Sequence, residues 1–264
     1  MMNFSGVNHL NWLGKLLRLP LRLLPGSMEM PIWQGKLRGK KWIVGSFNHG
    51  CWLGSYEFAE QRRLAEVAKP GDVFFDVGAN VGFYTLLASS IVGETGKVFA
   101  FEPLPRNLSY LEKHVQINAV SNTTVFKAAV SDRPGELRFQ EGECHAMGRV
   151  HAEGTLVVPC VSLDDLYDQK AIPLPDILKI DVEGAEARVL HGAKRILGQS
   201  RPTIFLATHG PDVHGECLAL LSSLGYACSA LDEHQTLETC DEVLAIKASP
   251  TASPSPPMNL QHAH

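Results

Sequence analysis

The stretch Val73-Phe74-Phe75-Asp76-Val77-Gly78-Ala79-Asn80-Val81-Gly82-Phe83-Tyr84-Thr85 constrains the fold more than any other part of the chain. An apolar, aromatic-rich run ends on a carboxylate, turns through glycines and enters what reads as a helix. That strand–turn–helix is the unit that nucleotide-shaped ligands use in open α/β sheets. Backbone N–H groups at a helix start can approach a ligand only where side chains are small.

The rest of the chain repeats the alternation. Phe58 to Ala68 has helical periodicity and stops at Pro70-Gly71; Phe83 to Val92 reads as a crossover helix. Lys97 to Pro103 is a second strand ending on Glu102, residues 104–117 a helix, and Asn122 to Val130 a third strand. Residues 131–158 read as an insertion with short strands near 136–139 and 155–158, and Ser162 or an aspartate after it caps a short helix. Asp176 to Val182 and Pro202 to Thr208 supply the fourth and fifth strands, with a helix over Ala187 to Leu197 between them. Tyr226 to Leu231 and Glu242 to Lys247 close the chain as a hairpin. The expectation is an α/β fold: a doubly wound, mostly parallel sheet with a C-terminal antiparallel hairpin.

Ahead of this core, residues 1–55 form an extension: an amphipathic basic helix over 10–24 with Pro20 interrupting it, then a small hairpin within Ile32 to Phe47. The helix either braces the domain or lies on an anionic membrane surface as a peripheral contact. The loop Asn48 to Glu57 places Trp52, Tyr56 and Glu57 together, as packing or as the wall of a substrate pocket. The main domain is expected over 56–248 and a disordered Ser/Pro/Ala tail over 249–264.

Charge excludes some partners. Residues 1–50 carry seven lysines and arginines against Glu29 alone, yet the whole chain is at −4, which gives no case for nucleic acid. The six cysteines show no Cys-x-x-Cys pair, as expected of reduced thiols in a cytoplasmic protein. No run reaches the ~18 apolar residues of a membrane span, and the N-terminus does not read as a signal peptide.

Ligands of such sheets sit outside the carboxyl ends of the strands. Gly78 and Gly82 leave room for an amino-acid moiety or a phosphate, and Asn80 stands where a dinucleotide site would want its second glycine. Glu102, 20 residues past Gly82, suits a bidentate grip on a ribose diol, or a helix cap before Pro103. Lys179 and Asp181 share one face of their strand, either as a structural pair or with Asp181 and Glu183 binding an acceptor hydroxyl and Asp181 taking its proton. His209, after the fifth strand, could serve as a second base. No pair among His145, His151, His209 and His214 has metal-helix spacing, and no metal site is expected.

Taken together, Phe75 to Gly82, Phe101-Glu102-Pro103, Ala129-Val130-Ser131-Asp132 and Lys179 to Glu186 resemble the successive signatures of FkbM-type methyltransferases, from about Tyr56 to Thr208. The resemblance implies a class I, Rossmann-like fold, for which the closing hairpin is the added feature, and S-adenosyl-L-methionine as methyl donor. It implies a hydroxyl acceptor on a sugar, glycolipid or secondary metabolite. Asp76, Gly78, Asn80 and Gly82 would line the donor's methionine part, Glu102 its ribose, with Ala129 in the same donor site; Asp181 and Glu183 would face the acceptor. Members often carry a glutamate near the end of the fifth strand, where this chain has Ala207-Thr208-His209; that departure gives His209 a candidate acceptor-side role. A nicotinamide-dependent oxidoreductase and a non-catalytic binding protein on the same fold are the competing readings.

Overall fold

The computed structural model describes residues 24–141, 148–150 and 154–247. The expected helix over 10–24, apart from Leu24, lies outside them, as do His145, His151 and the tail from 249. The strands run in chain order: β1 Glu29–Pro31, β2 Lys41–Ile43, β3 Val73–Val77, β4 Lys97–Phe101, β5 Thr123–Phe126, β6 Ala129–Val130, β7 Gly135–Glu141, β8 Gly148–Val150, β9 Leu156–Val161, β10 Ile177–Ile180, β11 Thr203–Ala207, β12 Tyr226–Ala230 and β13 Glu242–Lys247. The helices are α1 Gly50–Leu53, α2 Phe58–Val67, α3 Phe83–Val92, α4 Pro105–Ile117, α5 Leu163–Asp168, α6 Glu186–His191, α7 Lys194–Gln199 and α8 Pro211–Ser223.

A seven-stranded sheet in the order β12-β13-β11-β10-β3-β4-β5 forms the centre. From β5 to β11 all neighbours are parallel, whereas β13 runs antiparallel between β11 and β12. The strand order reverses between β3 and β10, which puts a crevice at their carboxyl ends.

Both faces of the sheet are covered, so its strands read as continuous apolar runs. Alternation divides them: Phe75, Val77, Phe99, Leu178, Ile180, Ile204 and Leu206 pack with helices α5 to α8. Phe74, Val98, Ile177 and Phe205 pack with α2, α3 and the N-terminal extension on the other side. Asp76 and Lys179, register partners on β3 and β10, fall on this second side, where α2 and α3 must supply polar partners for them.

The extension is part of that core. Trp42 is fully buried and stacks on His114 of α4 with ring centroids 3.9 Å apart. His114 Nε2 accepts the Ile43 N–H at 3.1 Å, which leaves the proton on Nδ1 to be donated to the Val81 carbonyl at 2.7 Å. Burial lowers the ring's pKa to about 4, so it stays neutral. The hairpin is thereby clamped to the glycine turn. Trp42→Ala is expected to cost about 3–5 kcal/mol, read as a lower midpoint in urea unfolding.

Three expected elements differ from the structure. The third strand does not run to Val130: it ends at Phe126, Lys127 turns out to pair with Glu112 at 2.6 Å, and Ala129–Val130 joins a separate four-stranded sheet, β6-β9-β7-β8. The helix expected over 187–197 is two helices. A Cβ on Gly192 would lie 2.1 Å from the Ser131 carbonyl, and the Gly192 carbonyl accepts the Asp164 N–H, so the chain bends where it touches its neighbours. The N-terminal hairpin pairs Glu29–Pro31 with Lys41–Ile43, starting before Ile32. The Ser162 cap is present, its Oγ accepting the Asp165 N–H.

Candidate active site

A cleft of ≈ 270 Å³ opens over the carboxyl ends of β3, β4, β10 and β11. Its floor is the glycine turn. Gly78 has φ 86°, and a Cβ there would lie 1.8 Å from the Asp181 carbonyl, so only glycine lets the ends of β3 and β10 meet. Gly78 and Ala79 both donate their N–H to the Phe101 carbonyl, and Asn80, at φ 50°, donates its own to Glu102 Oε2 at 2.8 Å. Gly82 begins α3 at φ 91°, and a Cβ would strike Leu111. It sets the helix packing and is not among the residues that line the cleft.

Asp76 lies beneath the turn, beside Gly78 and Asn80. Its buried carboxylate accepts the Thr85 hydroxyl at 2.6 Å and borders only a small annex beside Gly78, Lys179 and Asp181. Burial raises its pKa, an effect that Lys179 and Thr85 offset in part. Asp76 ties α3 to β3 beneath the turn.

Glu102 makes the contacts of a helix cap and also lines the cleft. Oε1 accepts the Leu104 N–H at 2.9 Å and the Asn107 amide at 3.4 Å, as a helix cap would. The carboxylate also lines the cleft, with three of its roughly four lone-pair sites taken by the Asn80, Leu104 and Asn107 donors. Burial raises it to about 7, against the opposing pull of the Leu104, Asn80 and Asn107 donors. Ala129 lines the same end, together with Leu137 and Phe139 of the small sheet.

Across the cleft stands a charged cluster. Lys179 lies 3.2 Å from Asp181 Oδ2 and 3.9 Å from Glu60, with its ammonium 4.4 Å above the Tyr84 ring. Burial opposes its charge, yet Glu60, Asp181, Glu57 and Asp76 outweigh burial and hold its pKa well above the usual range. The Tyr84 hydroxyl is 2.7 Å from Glu57 and 2.6 Å from Glu60. Burial raises the pKa of Glu60, and the Lys179 ammonium opposes that rise.

Glu183 takes a left-handed conformation, φ 55°, before Gly184 at φ 103°. The turn is held by Glu186 Oε1, which accepts the N–H groups of Gly184 and Val182. The same oxygen lies 2.9 Å from His209 Nδ1, while His209 Nε2 is 3.5 Å from Glu183 and 3.8 Å from Asp181. The hydrogen bond to Glu186, the largest cause, and the neighbouring carboxylates raise the imidazole to about 9. His209 reaches the cleft as expected, but its surroundings favour a positive charge, which does not suit a second base.

Three of the six non-glycine residues at positive φ in the described chain, Glu57, Asn80 and Glu183, line this cleft. Such conformations persist where surrounding contacts over-determine them, and they gather at functional sites. Tyr56 and Glu57 do wall the pocket, whereas Trp52 is buried in the core against Trp33. Glu242 is a further wall residue that no local pattern marks. It opens the antiparallel strand β13, opposite Ala207, so its side chain enters at the carboxyl ends of the parallel strands, and burial raises it to about 7.

The family model for the methyltransferase FkbM domain matches residues 76–228, which include this turn, Glu102, the Asp181–Glu186 turn and His209. The chain belongs to the FkbM methyltransferase family. Among curated relatives, the hexuronic acid methyltransferase AglP of Haloferax volcanii is 32% identical over 138 residues, covering 52% of this chain and 56% of that protein. The 31-O-demethyl-FK506 methyltransferase FkbM of Streptomyces tacrolimicus is 28% identical, over 70% of this chain and 83% of that one. The 2-O-methyltransferase NoeI of Sinorhizobium fredii is 24% identical, over 50% and 62%. The chain thus spans little more than half of the first of these relatives. The α/β sheet with its antiparallel β13 is the fold expected from the sequence. Among the described residues no helix is long and apolar enough to cross a membrane.

Proposed function

We propose that the protein transfers a methyl group from S-adenosyl-L-methionine to a hydroxyl of a sugar or sugar-like metabolite. One observation carries the reading: the glycine turn and Glu102 form one side of a cleft whose other side is Asp181, Glu183 and His209. The residues present fit the donor. Gly78 and Asn80 line the floor, Glu102 presents a carboxylate to a ribose hydroxyl, and Phe101, Leu104 and Leu137 supply apolar surface for a flat base. When bound, the donor supplies a methyl group on a sulfonium, an electrophile that needs little covalent help.

The protein's share is alignment and proton removal. Asp181, anchored by Lys179 through Oδ2 and 30% exposed, is placed to accept a hydroxyl's proton. Glu183, fixed by the Glu186-bound turn, and Glu242 are placed to accept hydrogen bonds from neighbouring hydroxyls of a polyol. Buried Glu60, 3.9 Å away, also holds the Lys179 ammonium, which positions Asp181 rather than leaving for solvent. Two of the three relatives are named for oxygen methylation and one for a hexuronic acid, and an oxygen-rich acceptor fits a wall of carboxylates.

Calorimetry separates this reading from its rivals. S-adenosylhomocysteine is expected to bind saturably and NAD not at all. Binding of NAD alone would favour an oxidoreductase, and binding of neither would favour a non-catalytic protein on this fold.

A further inference from the structure

The acceptor side has three ligand-type atoms that converge at ion-pair distance. His209 Nδ1 is taken up by Glu186 Oε1 at 2.9 Å, which leaves Nε2 as the nitrogen facing the cleft. Nε2 lies 3.5 Å from Glu183 Oε2 and 3.8 Å from Asp181 Oδ1, beyond good hydrogen-bond distance. One ligand-type atom from each of Asp181, Glu183 and His209 lies within 4.8 Å of the others. A divalent cation bonded to oxygen and nitrogen at about 2.0–2.4 Å separates its ligands by roughly 3–4 Å. The two separations from His209 Nε2, 3.5 and 3.8 Å, fall in that range.

What surrounds the three supports the same use. Glu186 is fully buried, and its second oxygen has no hydrogen-bond partner within the described protein, so a buried carboxylate directly backs the imidazole. A carboxylate on the far nitrogen is the usual outer support of a metal-bound histidine, because it fixes the tautomer and the ring orientation. Asp181 is held in the same way, with Lys179 on Oδ2 while Oδ1 turns to His209. The left-handed Glu183 is fixed by the N–H bonds of its own turn. All three side chains remain 30–37% exposed on the cleft side, which leaves room for further oxygen ligands.

We propose that Asp181 Oδ1, Glu183 Oε2 and His209 Nε2 bind a divalent cation whose remaining positions are taken by water or by adjacent hydroxyls of the acceptor. Two carboxylate oxygens and one imidazole suit a cation of the Mn²⁺ or Mg²⁺ type. The sequence concealed the site because its ligands come from a strand-end turn and from a loop 26 residues later. The acceptor's part in it rests on the methyl-transfer reading; the cation site itself does not.

The test is an electron paramagnetic resonance titration of Mn²⁺ alone into metal-stripped full-length protein. Wild type is compared with Glu183→Gln, His209→Ala and, as a control acid–histidine surface pair, His191→Ala. Wild type and His191→Ala are expected to bind a single Mn²⁺ per chain, with affinity at least about tenfold weaker in the other two variants. S-adenosylhomocysteine binding, measured on each variant, reports that the fold is intact. No saturable Mn²⁺ binding by wild type, or equal affinity in Glu183→Gln and His209→Ala, overturns the proposal. If methyl transfer then persists in excess chelator, the cluster holds a proton alone and the methyl-transfer reading stands; absence of S-adenosylhomocysteine binding would fail that reading separately.

Discussion

Asp181→Asn is expected to lower turnover by about 10²–10⁴-fold, the usual contribution of a positioned general base, while S-adenosylhomocysteine affinity stays unchanged. The substitution keeps the volume of the side chain and removes the oxygen that would receive the acceptor's proton. The bland alternative is that Asp181 serves only as the partner of Lys179. In that case the variant would lose stability through a poorly compensated buried ammonium, and the folded fraction would turn over normally. Glu60, 3.9 Å from the same ammonium, keeps Lys179 partnered in the variant, so a folded protein is available for the comparison. Single-turnover rates and melting curves on one preparation separate the two outcomes.

Glu102→Gln should weaken donor binding by about ten- to hundredfold, the value of a charge-assisted contact of about 1.5–3 kcal/mol. The wild-type protein carries an internal version of the same experiment. Ribose hydroxyls donate to the carboxylate form, and burial brings Glu102 to about 7. Affinity for S-adenosylhomocysteine should therefore be level above that value and fall by close to tenfold per pH unit as protons occupy the carboxyl below it. In Glu102→Gln this slope should vanish. A wild-type affinity independent of pH between 5.5 and 8 would show that the carboxylate does not contact the donor.

The parallel strands were legible because each is a short apolar run closed by turn residues, and such a run reports burial on both faces without reference to its neighbours. Gly78 was legible for a similar local reason: a strand that turns at once into a helix needs a residue of positive φ. The small second sheet was not legible. Ala129–Val130 continues the apolar pattern of β5, and only pairing with Cys160–Val161, some 31 residues away, removes it from the main sheet. Glu242 entered the cleft because β13 inserts antiparallel between β11 and β12, a fact of spatial order that periodicity does not encode.

The site shows the same division. Glu102 and Asp181 stand at strand ends and could be named from the sequence. The state of His209 depends on Glu186, which lies 23 residues away and looks like an ordinary first-turn helix acid. Asp76 and Gly82 belong to the same motif as Gly78, yet they face inward and hold the turn in place. A motif gives the residues that must be present; only packing separates those that touch a ligand from those that support it.

The central claim is methyl transfer from a sulfonium donor to an oxygen. Its most direct test is to incubate the full-length protein with methyl-labelled S-adenosyl-L-methionine and a panel of hexuronic acids, glycolipids and polyol metabolites, with and without added Mn²⁺. Label is expected in a base-stable ether on at least one oxygen-rich acceptor, and Asp181→Asn should abolish it. Donor bound with wild-type affinity but no label passed to any member of the panel, or label recovered on nitrogen or carbon, would contradict the account.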